Sequence, residues 1–164
     1  MIERKTILVL DEPHIIKMVR RIAEGLGCSM VGVSKADFIE EVIQRNQIAV
    51  LVLAKEMRIK GPSLTELLKE QKLGLTDAYL KLRDTEIDFE FGINLLTRLR
   101  LNGIKLPIIF MTTQDLKEPE WHVNKQGKIY HASIPKFYGG FEESMRFAIS
   151  ECLNRATHSE AEGI

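Results

Sequence analysis

Side chains able to handle a cation or a phosphoryl group come directly after three strand-like apolar runs of this sequence. They are two carboxylates, a hydroxyl and an ammonium group: Asp11 and Glu12, Thr112, and Lys136. The carboxyl ends of parallel strands meet at one edge of a sheet, so we expect these groups to lie close together. Such a set would surround a reactive carboxylate.

The central apolar run, Val50–Leu53, ends not in a carboxylate but in Ala54. A methyl group has no lone pair, so it cannot attack a phosphoryl group. A register shifted by two residues would put Glu56 in this position, but it fits the apolar run less well. The third strand therefore brings no nucleophile to this edge of the sheet.

The elements that would position these groups alternate between short apolar runs and helical patterns, which is typical of βαβ units and a parallel sheet. The expected strands are Ile7–Leu10, Ser29–Val33, Ile48–Leu53, Pro107–Met111 and Lys128–Pro135. The first helix begins at Pro13 and ends at Gly27, and the last begins after Gly139-Gly140. The class is α/β.

Two segments depart from this alternation. Residues 58–91 form an insertion after the third strand, which we interpret as a helical hairpin over the active-site end of the sheet. The end of the insertion, Asp84–Phe91, alternates acidic and aromatic residues and could be strand-like or extended. Pro119 and Gly127 restrict the expected fourth helix, between Gln114 and Gly127, to a short or remodelled element.

The length of 164 residues and the 45% apolar content predict one domain, 1–156, with a flexible tail at 157–164. Lys and Arg balance Asp and Glu at zero net charge, which argues against nucleic acid as a partner. No apolar stretch is long enough for a signal sequence or a membrane span, so we expect a cytoplasmic protein without membrane contact. The two cysteines provide neither a disulfide framework nor a metal-ligand set.

The order of these motifs resembles the response-regulator receiver (CheY-like) domain. The resemblance implies a flavodoxin-like, three-layer α/β/α sandwich with a five-stranded parallel sheet of order 2-1-3-4-5. In that family an acidic pair, a phosphate-accepting Asp, a hydroxyl residue and a Lys meet at the strand ends. The matching positions here are Asp11, Glu12, Ala54, Thr112 and Lys136.

Further departures from the family follow the fifth strand. The family usually has an aromatic switch residue where this chain has Ser133, and a Pro where it has Phe137. We expect no enzymatic activity and no cofactor. Mg²⁺ would bind weakly at most, through Asp11 and Glu12 and the Glu56 carbonyl. Alternatively, Lys55 or Lys136 neutralises the acidic pair without an ion.

The resemblance and the missing acceptor together predict a pseudo-receiver, a two-component signalling module that acts by protein–protein interaction without Asp phosphorylation. A second hypothesis is a phosphorelay receiver that accepts phosphate on another carboxylate, such as Glu56, Asp84 or Asp88. A third is a flavodoxin-like domain that senses a small molecule. The expected partner is an unidentified signalling protein of bacterial type, and a homodimer could form through the 58–91 insertion or the last helix.

Overall fold

A computed structural model describes residues 4–60, 66–82, 86–113, 119–123, 130–136 and 139–162. The strands are β1 (Thr6–Leu10), β2 (Ser29–Val33), β3 (Ile48–Ala54), β4 (Met57–Lys60), β5 (Glu86–Asp88), β6 (Ile108–Thr112), β7 (Glu120–Val123) and β8 (Tyr130–Pro135). The helices are α1 (Pro13–Gly25), α2 (Ile39–Asn46), α3 (Leu75–Leu82), α4 (Phe91–Leu101) and α5 (Phe141–Glu162), with a π-helical segment at Glu66–Glu70. None of the helices in these ranges has the length and apolar character that crossing a membrane requires.

The main sheet has the order β2-β1-β3-β6-β8-β7. The first five of these strands are parallel, and β7 is antiparallel to β8 at the edge. Because β6 and β8 are the fourth and fifth parallel strands along the chain, the predicted order 2-1-3-4-5 is confirmed.

The sheet is covered on both faces because alternate residues of each strand point to opposite sides. On one face, Val9 and Val52 pack with α1 and α5, in a cluster that includes Met145. On the other face, Leu8 and Leu51 pack with α2 and α4. The central strands are therefore apolar without interruption, and the predicted three-layer sandwich is confirmed.

The insertion contains two helical segments, as expected for a helical hairpin, and also a pairing of two strands that was not predicted from the sequence. β4 and β5 pair as an antiparallel ribbon. The π-helical segment and α3 lie between these two strands along the chain. Strand β5 agrees with the strand-like alternative for the end of the insertion. Residues 61–65 and 83–85, including Asp84, lie outside the described residues. Leu67 and Ala78 are fully buried, so part of the insertion's apolar surface packs within the chain.

Two other expectations differ from the structure. Strand β7 lies in the described part, 119–123, of the segment for which a short or remodelled fourth helix is expected, and it pairs with β8 from Glu120↔Ser133 to Val123↔Tyr130. Residues 114–118 and 124–127 of that segment lie outside the described residues. Pro119 precedes this strand and cannot continue a helix, whereas the edge of β8 offers hydrogen bonds. The last helix continues to Glu162, into the predicted tail, where Ala and Glu residues favour helix.

An ion pair joins α2 to α4 on the surface. Arg98 Nε and Nη2 each lie 2.6 Å from a carboxylate oxygen of Glu40, and Nη2 also donates to the Ala36 carbonyl. Hydrogen bonding to Arg98 lowers the pKa of Glu40 to about 2 from 4.5. Arg98 is nearly half exposed, so solvent screening limits the stabilisation to about 1 kcal/mol.

Replacing Glu40 by Gln is expected to lower the free energy of unfolding by about 0.5–1 kcal/mol at pH 7. The pKa of this acid is depressed in the folded state, so its contribution is present above pH 4.5 and is lost as the pH falls towards 2. Urea unfolding at pH 7 and pH 3 measures the difference. Glu41→Gln is the matched control, since Glu41 is the exposed neighbour on the same helix. An equal loss in both variants would contradict the prediction.

Candidate functional site

The residues singled out from the sequence lie at one edge of the main sheet. Asp11 follows β1, Ala54 is the last residue of β3, Thr112 is the last of β6, and Lys136 follows β8. Backbone hydrogen bonds continue from strand to strand beyond the regular pairing, from Lys55 N to Met111 O and from Lys136 N to Thr112 O, both at 2.8 Å. The parallel sheet thus brings these positions side by side.

Asp11 and Lys136 form a buried ion pair. Lys136 Nζ lies 2.8 Å from Asp11 Oδ2, and the side chains are 6% and 1% exposed. The contact is an ion pair, and Oδ2 accepts no hydrogen bond from the described residues. Oδ1 accepts a 2.7 Å bond from the backbone N–H of Glu12. Of the two lysines proposed to neutralise the acidic pair, Lys136 makes this contact.

Burial dominates the electrostatics of Asp11. Removal from water raises the pKa of this carboxyl above 3.8, and the nearby Lys136 ammonium only partly opposes the increase. A low-dielectric environment disfavours the charged form, and one cation does not fully replace the lost hydration. The pair is therefore held in place by the fold and contributes little net stability of its own.

Glu12, the second acid, points to other partners. Its Oε1 accepts a 2.9 Å hydrogen bond from Arg58 Nε at the start of the β4–β5 ribbon, and its Oε2 lies 3.8 Å from His14 Nδ1. Within the described part of the chain, no three His, Cys, Asp or Glu side chains come together as a metal site. Mg²⁺ requires near-octahedral oxygen ligands. With Asp11 paired to Lys136 and Glu12 to Arg58, the residues present do not fit this ion.

The Glu56 carboxylate lies at the same edge, beside the end of β6. Its side chain is turned inward and only 3% of the residue is exposed. The Thr112 hydroxyl lies 3.0 Å from Oε1 and 2.8 Å from Oε2, and Thr113 donates to Oε1 from its backbone N–H at 2.6 Å and its hydroxyl at 2.9 Å. These contacts satisfy a charge that would otherwise be costly to bury.

Sequence reasoning considered Glu56 only as an alternative acceptor or as a carbonyl ligand, and it missed this pairing with the β6 end. The sequence does contain a signal for this contact, a pair of adjacent hydrogen-bond donors, Thr112-Thr113. They lie at the end of β6, and Glu56 follows the neighbouring strand, β3. Spacing along the chain does not show which way a side chain turns, so the pattern alone could not assign the contact.

Ala54 itself is fully buried and closely packed. The N–H of Gly92, near the start of α4, donates to the Lys55 carbonyl at 2.9 Å. A Cβ on Gly92 would lie 2.7 Å from the Ala54 carbonyl oxygen and 2.8 Å from Lys55 Cα. Helix α4 thus begins against the backbone that follows β3, next to Ala54.

Each of the three carboxylates described at this edge has a partner within the chain. Asp11 is neutralised by Lys136, Glu12 is bound by Arg58, and Glu56 by the two threonines. Of the alternative acceptors, Asp88 accepts a 3.0 Å hydrogen bond from the Glu90 backbone N–H in an exposed turn, and Asp84 lies outside the described residues.

Comparison with solved structures identifies receiver domains as similar folds. The signal receiver domain of an HD domain-containing protein from Pseudomonas fluorescens Pf-5 gives a TM-score of 0.58 at 12% identity, covering 95% of this chain and 99% of that one. The receiver domain of a putative LuxO repressor protein from Vibrio parahaemolyticus gives 0.58 at 10% identity, with 97% of each chain covered. The response regulator StyR gives 0.60 at 18% identity, covering 98% of this chain and 65% of that one.

No protein-family model and no curated protein sequence matches this chain. The similarity is therefore one of structure at low sequence identity. It extends over nearly the whole chain and establishes the flavodoxin-like receiver fold expected from the sequence.

Proposed function

We propose that this chain is a pseudo-receiver, a signalling module that works by binding a protein partner and is not phosphorylated on an aspartate. The observation that supports this most directly is the buried methyl group of Ala54 at the position where a receiver carries its acceptor. Chemistry at that position is impossible without a lone pair, whatever the surrounding geometry.

The neighbouring groups support the same proposal. Lys136, which the resemblance assigns to the phosphoryl group, is paired with Asp11 at 2.8 Å. Thr112, which the resemblance assigns to the switch, binds Glu56. A phosphoryl group entering this edge would have to displace both contacts, each of which satisfies a buried charge.

Incubation with acetyl phosphate and Mg²⁺, followed by mass spectrometry of the intact protein, tests the absence of phosphorylation. We expect no added mass, while a receiver that retains its acceptor Asp, treated in parallel, gains one phosphoryl group. A phosphoryl adduct on a carboxylate such as Glu56, Asp84 or Asp88 would favour the phosphorelay hypothesis instead. Glu56 is a poor candidate because both of its oxygens accept hydrogen bonds in a buried position.

Exposed apolar side chains on the insertion and the last helix support binding through these surfaces. Leu75 and Leu80 of α3 are 57% and 49% exposed, and Phe89 after β5 is 64% exposed. Phe147 of α5 is 53% exposed. Clustered apolar groups on a surface are typical of contact sites, and we place the contact with a partner protein or a second copy of this chain at these side chains.

Substituting both Leu75 and Leu80 by Ser is expected to weaken binding through the insertion by at least about tenfold, with stability changed by no more than about 0.5 kcal/mol. Phe147→Ser is the matched variant on the last helix. Light scattering measures self-association, and affinity capture from the native cells followed by titration measures binding of a partner. If every variant had the same mass in light scattering as the unmodified chain and captured the same partner protein, neither surface would be the interface.

A further inference from the structure

The end of β6 forms a small pocket of hydrogen-bond donors. The Thr112 hydroxyl, the Thr113 backbone N–H and the Thr113 hydroxyl all converge on one carboxylate, at distances of 2.6–3.0 Å. Three donors from two consecutive residues match the lone pairs of a single carboxylate. Their arrangement is that of a binding site for a small oxyanion.

The group that fills this pocket belongs to the chain itself. Glu56 follows β3 by two residues, on the strand neighbouring β6 in the sheet, and its side chain spans the gap between the two strand ends. Only 3% of the residue is exposed, so the donors take the place of water around the carboxylate. Hydrogen bonds to a charged acceptor are stronger than those between neutral groups.

The contact also fixes the ribbon of the insertion. Strand β4 begins at Met57, the residue after Glu56, and Arg58 is held by Glu12 from the other side. The start of the ribbon is therefore attached to the sheet edge at two points, Glu56 to β6 and Arg58 to the end of β1. The first attachment depends on the filled pocket.

We propose that the pocket formed by Thr112 and Thr113 is an oxyanion-binding site that the chain occupies permanently with its own Glu56 carboxylate, as a tethered ligand. Removing the tethered group leaves the donors facing a gap of carboxylate size. A small free carboxylate, for which formate serves as the probe, then binds in its place. The inference concerns this pocket alone and stands whether or not the chain binds a signalling partner.

Thermal unfolding of Glu56→Ala in formate, compared with equal concentrations of chloride, tests the pocket. We expect a melting temperature below that of the unmodified protein, and a rise of about 2–4 °C when formate exceeds its Kd about tenfold. The unmodified protein and Glu24→Ala, which removes an exposed carboxylate from α1, should show no difference between formate and chloride. A folded Glu56→Ala that does not respond to formate, or an equal response in all three proteins, would overturn the proposal.

Hydrogen exchange provides a test that does not require Glu56→Ala to fold. The Thr113 residue is exposed and follows the end of β6, yet its N–H is bonded to the buried carboxylate. We expect this amide to be protected in the unmodified protein and to exchange at least about tenfold faster in Glu56→Gln, whose neutral amide is a weaker acceptor. Fast exchange of the Thr113 amide in the unmodified protein would show that the pocket is not filled.

Discussion

Replacing Lys136 by Met is expected to lower the free energy of unfolding by about 3–5 kcal/mol at pH 7, because it leaves the carboxyl of Asp11 buried without its cation. Asp11 is 1% exposed, so the side chain cannot recover its hydration without disturbing the end of β1. Urea unfolding of the two proteins measures the loss.

The effect of Lys136→Met should depend on pH. The pKa of Asp11 is raised in the folded protein, so its contribution to stability is present below 3.8 and is lost as the pH rises through the folded-state pKa. Without the ammonium, that pKa rises further, and stability continues to fall by about 1.4 kcal/mol per pH unit. The two proteins should therefore differ little near pH 4 and increasingly towards pH 7.

The double variant Asp11→Asn, Lys136→Met is the control, since it removes both charges. It should be more stable than Lys136→Met at pH 7 and should lack the additional pH dependence. A loss of stability in Lys136→Met that stays constant between pH 5 and pH 7 would show that the ammonium acts through packing rather than through its charge.

Gly92→Ala is expected to destabilise the protein by about 1–3 kcal/mol or more, although Ala is the better helix former. The added Cβ would lie 2.7–2.9 Å from the Ala54 carbonyl oxygen, Lys55 Cα and Phe110 Cε1. Two of these are backbone atoms and cannot move aside by changing rotamer. Helix α4 would have to shift away from the end of β3, and the Gly92 N–H bond to the Lys55 carbonyl would lengthen.

Gly25→Ala is the matched control for this prediction. Gly25 also lies in a helix, but a Cβ there would meet only the end of the Arg146 side chain, at 3.9 Å. That variant should be neutral or more stable by up to about 1 kcal/mol. Chemical unfolding measures the free energy of unfolding of both variants. Similar changes in the two would mean that the contact between α4 and β3 is not tight.

The sheet could be predicted from the sequence because its signal is local and repeated. Runs such as Val50–Leu53 are apolar without interruption, and the helical patterns between them leave few ways to connect the strands. The insertion and the segment before β8 carry weaker patterns. There, pairing between distant residues, such as Met57↔Asp88 and Glu120↔Ser133, determined the structure.

By itself, the sequence determined that Asp11, Ala54, Thr112 and Lys136 share one edge, since parallel strands align their carboxyl ends. It also determined that the third strand ends in Ala54, whose methyl group cannot act as a nucleophile. Only the tertiary structure decided how the charges at that edge pair, with Lys136 on Asp11 and Glu56 on the threonines. The physical reason is that long side chains have several rotamers open to them, and burial selects the one in which every charge finds a partner.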